Sequence, residues 1–92
     1  MVNAIVLLKV DRERINPVAE ELAGLDGISE VYSVAGQFDL VALIRARNDE
    51  QVASLVTDGL LHVDGIKSSE TLIAFRTYSK HDLDGMFSVG LD

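Results

Sequence analysis

An α+β domain, four antiparallel strands and two helices in βαββαβ order, is predicted for this 92-residue chain by three observations. Short apolar runs rich in β-branched residues alternate with segments whose apolar residues recur at helical spacing. The two halves of the chain repeat one another in register. The length suits one domain, 1–92, with hydrophobic residues at 48% and charged residues at 25%, the profile of a globular protein.

Val2 to Val10 is almost continuously apolar and too short for a helix of ordinary length, so it reads as the first strand. A helix follows. Asn16 is placed to cap it, and Pro17 suits its first position, where a missing N–H costs nothing. Ile15, Val18, Leu22 and Leu25 form one apolar stripe, and Gly24 with Asp26-Gly27 stops the helix. A second strand runs from about Ile28 to Ala35, Gly36-Gln37 turns the chain, and Phe38 to Ala46 is the third strand. Asn48 caps the second helix, with Asp49 and Glu50 at the positive end of its dipole. Val52, Leu55, Val56, Leu60 and Val63 supply its buried face. Asp64-Gly65 closes that unit, and Ile66 to about Thr77 is the last strand.

A shift of 38 positions lays Val18 on Val56, Leu22 on Leu60 and Leu25 on Val63. It also lays Asp26-Gly27-Ile28 on Asp64-Gly65-Ile66, and Val6 on Ile44. Two tandem βαβ units with right-handed crossovers interleave into one four-stranded antiparallel sheet with both helices on one face, the ferredoxin-like arrangement.

Both sheet faces are apolar at the centre. Ala4, Val6, Leu8 and Val10 share one face of the first strand, yet Ile5 and Leu7 occupy the other. Leu40, Ala42 and Ile44 share one face of the third strand, yet Val41 and Leu43 occupy the other. Two helices cover one face only, and a wetted second face calls for alternation with polar residues. A second copy packed sheet to sheet, as a dimeric α/β barrel, is the simplest cover. The segment 79–92 adds Leu83, Met86, Phe87, Val89 and Leu91 beyond what the four strands need, and is expected to be a docking tail.

Composition excludes several functions. Fifteen acidic residues against eight basic ones give a net charge of −7, which opposes binding to phosphate backbones and to anionic membranes. With no cysteine there is no disulfide framework and no thiolate site, and the expected compartment is the cytoplasm. The apolar N-terminus lacks a basic leader and is too short to span a bilayer. No Gly-x-Ser-x-Gly elbow or Walker loop is present. Asp11 to Asn16 has no glycine to cradle a phosphate. His62 sits near a helix end, where a cation is favourable. His81 beside Asp82 and Asp84 reads as solvated surface in preference to a metal set. The expectation is no catalytic residues, no metal and no cofactor.

The most informative local pattern is Gly36-Gln37-Phe38-Asp39. Gly36 permits a tight turn and close approach to backbone N–H groups, and Asp39 sets a carboxylate beside an apolar strand. An amino acid fits such a place, its ammonium on Asp39 and its carboxylate on backbone N–H groups. The alternative is that Gly36 only shapes the hairpin and Asp39 only caps it.

Together these residues resemble the ligand-binding domain of the Lrp/AsnC family of regulators, also called the RAM domain. The resemblance covers nearly the whole chain. It rests on the early strand, on Val31-Tyr32-Ser33-Val34-Ala35-Gly36-Gln37-Phe38-Asp39, and on Asp64-Gly65-Ile66-Lys67-Ser68-Ser69-Glu70-Thr71 leading into the last strand. It implies paired-sheet dimers, assembly into rings such as octamers, and amino-acid effectors held between subunits. By position it implies Gly36, Phe38, Asp39, Ser69 and Thr71 as ligand-binding residues. Family members commonly carry a helix-turn-helix domain; this sequence starts at the effector domain, resembling the stand-alone form, so no direct binding to nucleic acid is expected. Two other readings compete: a ligand-free partner of a full-length Lrp/AsnC regulator, and a small dimeric α/β-barrel enzyme such as an oxygenase, which calls for a polar or His-lined cavity on the open face.

Overall fold

The computed structural model of the chain describes residues 1–80. The His81, Asp82 and Asp84 cluster, and all but the first two residues of the expected docking tail, lie outside the described residues. Strands β1 (Val2–Val10), β2 (Ile28–Ser33), β3 (Leu40–Ala46) and β4 (Ile66–Ile73) form one antiparallel sheet in the order β2-β3-β1-β4. The two central strands are the two most apolar ones, so the core lies at their backs. Helix α1 (Ile15–Ala23) and helix α2 (Asp49–Ser54) follow β1 and β3. This is the ferredoxin-like fold the repeat implies.

The helix-covered face carries Ala4, Val6, Leu8 and Val10 of β1 and Leu40, Ala42, Ile44 and Ala46 of β3, all buried. Val18 and Leu22 of α1 and Val52 of α2 meet them, with Leu60 and Val63 from the turns after α2; Ile15, Leu25, Leu55 and Val56 pack at the margin. The repeat extends to the backbone. Gly27 and Gly65, related by the 38-residue shift, have φ of +100° and +106°. Each turns the chain from a helical unit into a strand, in a region that side chains rarely adopt.

At Gly65 space is short as well. A Cβ there would lie 3.1 Å from Arg14 Nε and from Val18 Cγ2. Gly65→Ala is therefore expected to cost about 1–3 kcal/mol. Gly24→Ala, at φ −83° and with ordinary 3.5 Å contacts, should be neutral or stabilising by about 0.4–1 kcal/mol. Urea titration of both variants checks the difference; equal midpoints would mean that the turn relaxes freely.

Element ends depart from the sequence reading in four places. Asn16 does not cap α1. A 3₁₀ turn over Arg12–Arg14 leads into the helix, which starts at Ile15 with Arg14 at the cap position and no side-chain cap bond. Pro17 therefore sits third in the helix, where its missing N–H is still one that no intrahelical carbonyl awaits. Strand β2 ends at Ser33 and β3 begins at Leu40, so a six-residue connection replaces the two-residue turn. The second helical unit widens into a π turn over Leu55–Gly59 and ends as a 3₁₀ turn over Leu60–His62. Thr57 Oγ1 bonds back to the Ala53 carbonyl at the start of that distortion, 2.8 Å away. Strand β4 stops at Ile73, with one further ladder-like bond from Ala74 N–H to the Asn3 carbonyl. The cap of α2 is as read: Asn48 Oδ1 accepts from Gln51 N–H at 2.8 Å.

The open face is apolar along its middle. Ile5 lies between Leu43 and Leu72, and Leu7 between Val41 and Glu70, across the three strands. Tyr32 extends the second row onto β2. Ile5, Leu7, Val41 and Leu43 are only partly covered, and Tyr32 and Leu72 are 47% and 42% exposed. Tyr32 donates its hydroxyl to the Glu30 carboxylate. That hydrogen bond, together with the negative charge of Glu30, holds the Tyr32 phenol above its ordinary value.

Candidate ligand-binding site

The β2–β3 connection is organised by Asp39. Its backbone N–H donates to the Leu8 carbonyl at 2.8 Å, and its own carbonyl accepts from Val34 N–H at 3.0 Å. Its carboxylate Oδ2 accepts from Val10 N–H at 2.9 Å. The side chain thus supplies an acceptor to β1 just where β3 has not yet begun to pair, which is the capping role the alternative reading gave it. One oxygen closes the sheet; the other has no hydrogen-bond partner among the described residues. Gly36, at φ +141°, carries the bend, and a Cβ there would touch nothing within 4 Å. Its need for glycine comes from backbone conformation, with open space beside it.

Phe38 is half-buried, and the Lys9 ammonium stands 6.0 Å from its ring centroid, at the outer limit of a cation–π contact. Ser69 and Thr71 lie on β4 opposite Leu8 and Val6, and are partly buried on the helix-covered side of the sheet. Leu40, next to Asp39, is the β3 partner of the same Leu8. Ser69 is therefore two strands from Leu40, roughly 10 Å by strand spacing. Gly36, Phe38, Asp39 and Ser69 lie toward the Leu8–Val10 end of β1, and Thr71 lies opposite its middle, at Val6. Within one chain they form two groups, Gly36–Phe38–Asp39 and Ser69–Thr71, separated by β1. The residues that sequence reasoning missed are Lys9 and Val10: the first through its side chain over Phe38, the second through a backbone N–H that no sequence pattern records.

Residues 3–83 match the family model of the Lrp/AsnC ligand binding domain. The chain belongs to the Lrp/AsnC ligand-binding domain family. An uncharacterised HTH-type transcriptional regulator of Pyrococcus abyssi is 38% identical over 60 residues, 65% of this chain and 40% of that protein. The chain spans about 40–51% of the length of such curated relatives. Among solved structures, TTHA0845 from Thermus thermophilus superposes with a TM-score of 0.82 at 41% identity, over 87% of this chain and all of the other. The transcriptional regulator NMB0573 of Neisseria meningitidis, solved as a complex with L-Met, shares the fold, with a TM-score of 0.76 at 11% identity over 85% of this chain and 52% of that one. This Lrp/AsnC domain is thus a ligand-binding domain of a family whose relatives are transcriptional regulators. Among the described residues, no helix is long and apolar enough to cross a membrane.

Proposed function

We propose that this domain is an amino-acid-sensing and self-associating module that acts in transcriptional regulation of metabolism without chemistry of its own. Two copies pair through their open sheet faces, and dimers assemble further into a ring such as an octamer. The effector lies beside the hairpin, with its ammonium on Asp39, its apolar part against Phe38, and backbone N–H groups near Gly36 meeting its carboxylate. Ser69 and Thr71 face a neighbouring copy's hairpin, so that subunit contacts complete what one chain leaves divided. The 79–92 segment docks on the assembly, the compartment is the cytoplasm, and a full-length Lrp/AsnC regulator is a further partner.

The observation that carries this reading is the apolar middle of the open face, which a soluble single copy would leave wetted. The unpartnered carboxylate oxygen of Asp39 supports the position of the effector. The methionine complex of a protein with the same fold supports its chemical class.

Calorimetry against the common amino acids tests the site. One or a few should bind, and Asp39→Asn should weaken them about tenfold or more, because the ammonium loses a charged partner. Asparagine retains an oxygen for Val10 N–H, so its melting temperature should stay close to that of the native chain. Asp39→Ala loses both roles. The site reading fails if no amino acid gives heat, or if Asp39→Asn binds like the native protein.

A further inference from the structure

Lys9 is the one charged residue of β1, a strand paired on both sides. Charged residues in such strands are commonly matched by an opposite charge across the ladder. The β4 partner of Lys9 is Ser68, and among the described residues Lys9 takes part in no ion pair. Its two chain neighbours are the ones that hold the hairpin. The Leu8 carbonyl accepts from Asp39 N–H, and Val10 N–H donates to the Asp39 carboxylate. The Lys9 ammonium reaches toward the hairpin as well and stands 6.0 Å from the Phe38 ring centroid.

Two opposite charges therefore meet at Phe38. The Asp39 carboxylate, with one oxygen unpartnered among the described residues, follows it in sequence, and the Lys9 ammonium lies over its ring. A cation at that distance from a phenyl ring is held weakly, and a carboxylate would displace the ring as its partner. Lys9 is exposed and lies past Leu7 and Val41, where the apolar middle of the open face ends. Any assembly that leaves Phe38 and Asp39 open to an effector leaves Lys9 open too, because it stands over the same ring.

We infer that Lys9 is the specificity-determining residue of the hairpin site, and that the effector it selects is an amino acid with an acidic side chain. The inference rests on the reading of the hairpin as the effector site. With the effector's ammonium on Asp39 and its α-carboxylate on backbone N–H groups, its side chain lies over Phe38. A short methylene chain crosses the ring and keeps the apolar contact, and the carboxylate at its end pairs with Lys9. A neutral side chain of the same shape leaves Lys9 without a counter-ion, and a basic one is repelled by it.

Calorimetry on the full chain compares glutamate with glutamine and aspartate with asparagine, pairs that differ in side-chain charge and little in shape. In at least one pair the acid should bind about tenfold or more tightly than its amide. Lys9→Gln should remove that preference, weakening the acid about tenfold and changing the amide by less than about threefold. Lys9→Arg should retain it, and in the native chain it should shrink as salt rises. Because Lys9 is exposed, both variants should melt near the native temperature. Equal affinities within both pairs, or a preference that survives Lys9→Gln, overturn the inference and leave the hairpin site standing. An absence of heat from every amino acid removes both. If Lys9→Gln weakens self-association and leaves the preference unchanged, Lys9 belongs to the contact with a second copy, and the inference is overturned on that ground.

Discussion

Leu7→Glu is expected to turn a dimer into a folded monomer at micromolar concentration, with the change read by light scattering. Leu7 is central to the open face, between Val41 on one side and Glu70 on the other. A glutamate there would sit opposite another carboxylate, so no cross-strand partner relieves it. If a second copy covers this face, the new charge is buried at the contact without a counter-ion, at several kcal/mol for each copy. Two copies bring two such charges, and association should fall by at least about 10³-fold. The fold should survive, because Leu7 lies outside the buried set shared with the helices. Its melting temperature should fall only by the part that association contributes, and that part should depend on protein concentration in the native chain. A Leu7→Glu protein that still scatters as a dimer would place the subunit contact elsewhere and remove the main support for self-association through the sheet.

The second large effect concerns the helix side. Leu22→Ala and Leu60→Ala each remove a side chain that is 0% exposed, and the two positions are equivalent in the repeat. Each truncation loses buried apolar surface and leaves a cavity in a close-packed layer, at about 2–5 kcal/mol. Domains of this size have total stabilities of about 5–15 kcal/mol, so either change should lower the melting temperature by at least about 10 °C. The adjacent Leu61 is 55% exposed, and Leu61→Ala should change stability by about 0.5 kcal/mol or less. Urea unfolding at one fixed protein concentration compares all three. A small effect at Leu22 or Leu60, or a large one at Leu61, would contradict the packing of the helical units against the sheet.

These two effects separate along the pleat of the central strands. Even-numbered residues of β1 carry stability through the helices, and odd-numbered ones carry self-association in the proposed dimer. A one-residue change of register would exchange the two sets, which is why the bulge between Lys9 and Val10 falls at the end of β1, beyond Leu7 and Leu8.

Much of the fold is legible without coordinates because its signals are local and repeated. β1 runs over the span its apolar content marks, since a central strand buried on one side and half-covered on the other tolerates almost no polar residue. Asn48 caps α2 because the cap needs only a side-chain oxygen three residues before a free N–H. The shared Asp-Gly-Ile marks two turns of nearly equal φ, because positive φ demands glycine in both halves. Where the reading errs, a partner distant in sequence or an unforeseen local turn decides. Asn16 is a plausible cap, but Arg14 N–H bonds to the Asp11 carbonyl, and the tighter turn starts the helical path earlier. The β2–β3 turn looks short until β1 takes the N–H and the carboxylate of Asp39. The π turn after α2 leaves no mark in hydrophobic spacing, because Leu55, Val56 and Leu60 still face the core on either geometry.

For the candidate site, residue types were readable and their grouping was not. Gly36 and Asp39 stand out because glycine and a carboxylate beside apolar strands are locally anomalous. Ser69 and Thr71 carry no such anomaly, and only strand pairing shows them across β1 from the hairpin.

What this sequence determines by itself is the set of elements and their faces, since periodicity and turn chemistry act between neighbours along the chain. What only the tertiary structure decides is where those elements stop and which polar groups meet. Hydrogen-bond partners and charge pairs are fixed by approach in space, and residues far apart in sequence, such as Val10 and Asp39 or Asn3 and Thr77, reach one another only once the sheet has formed.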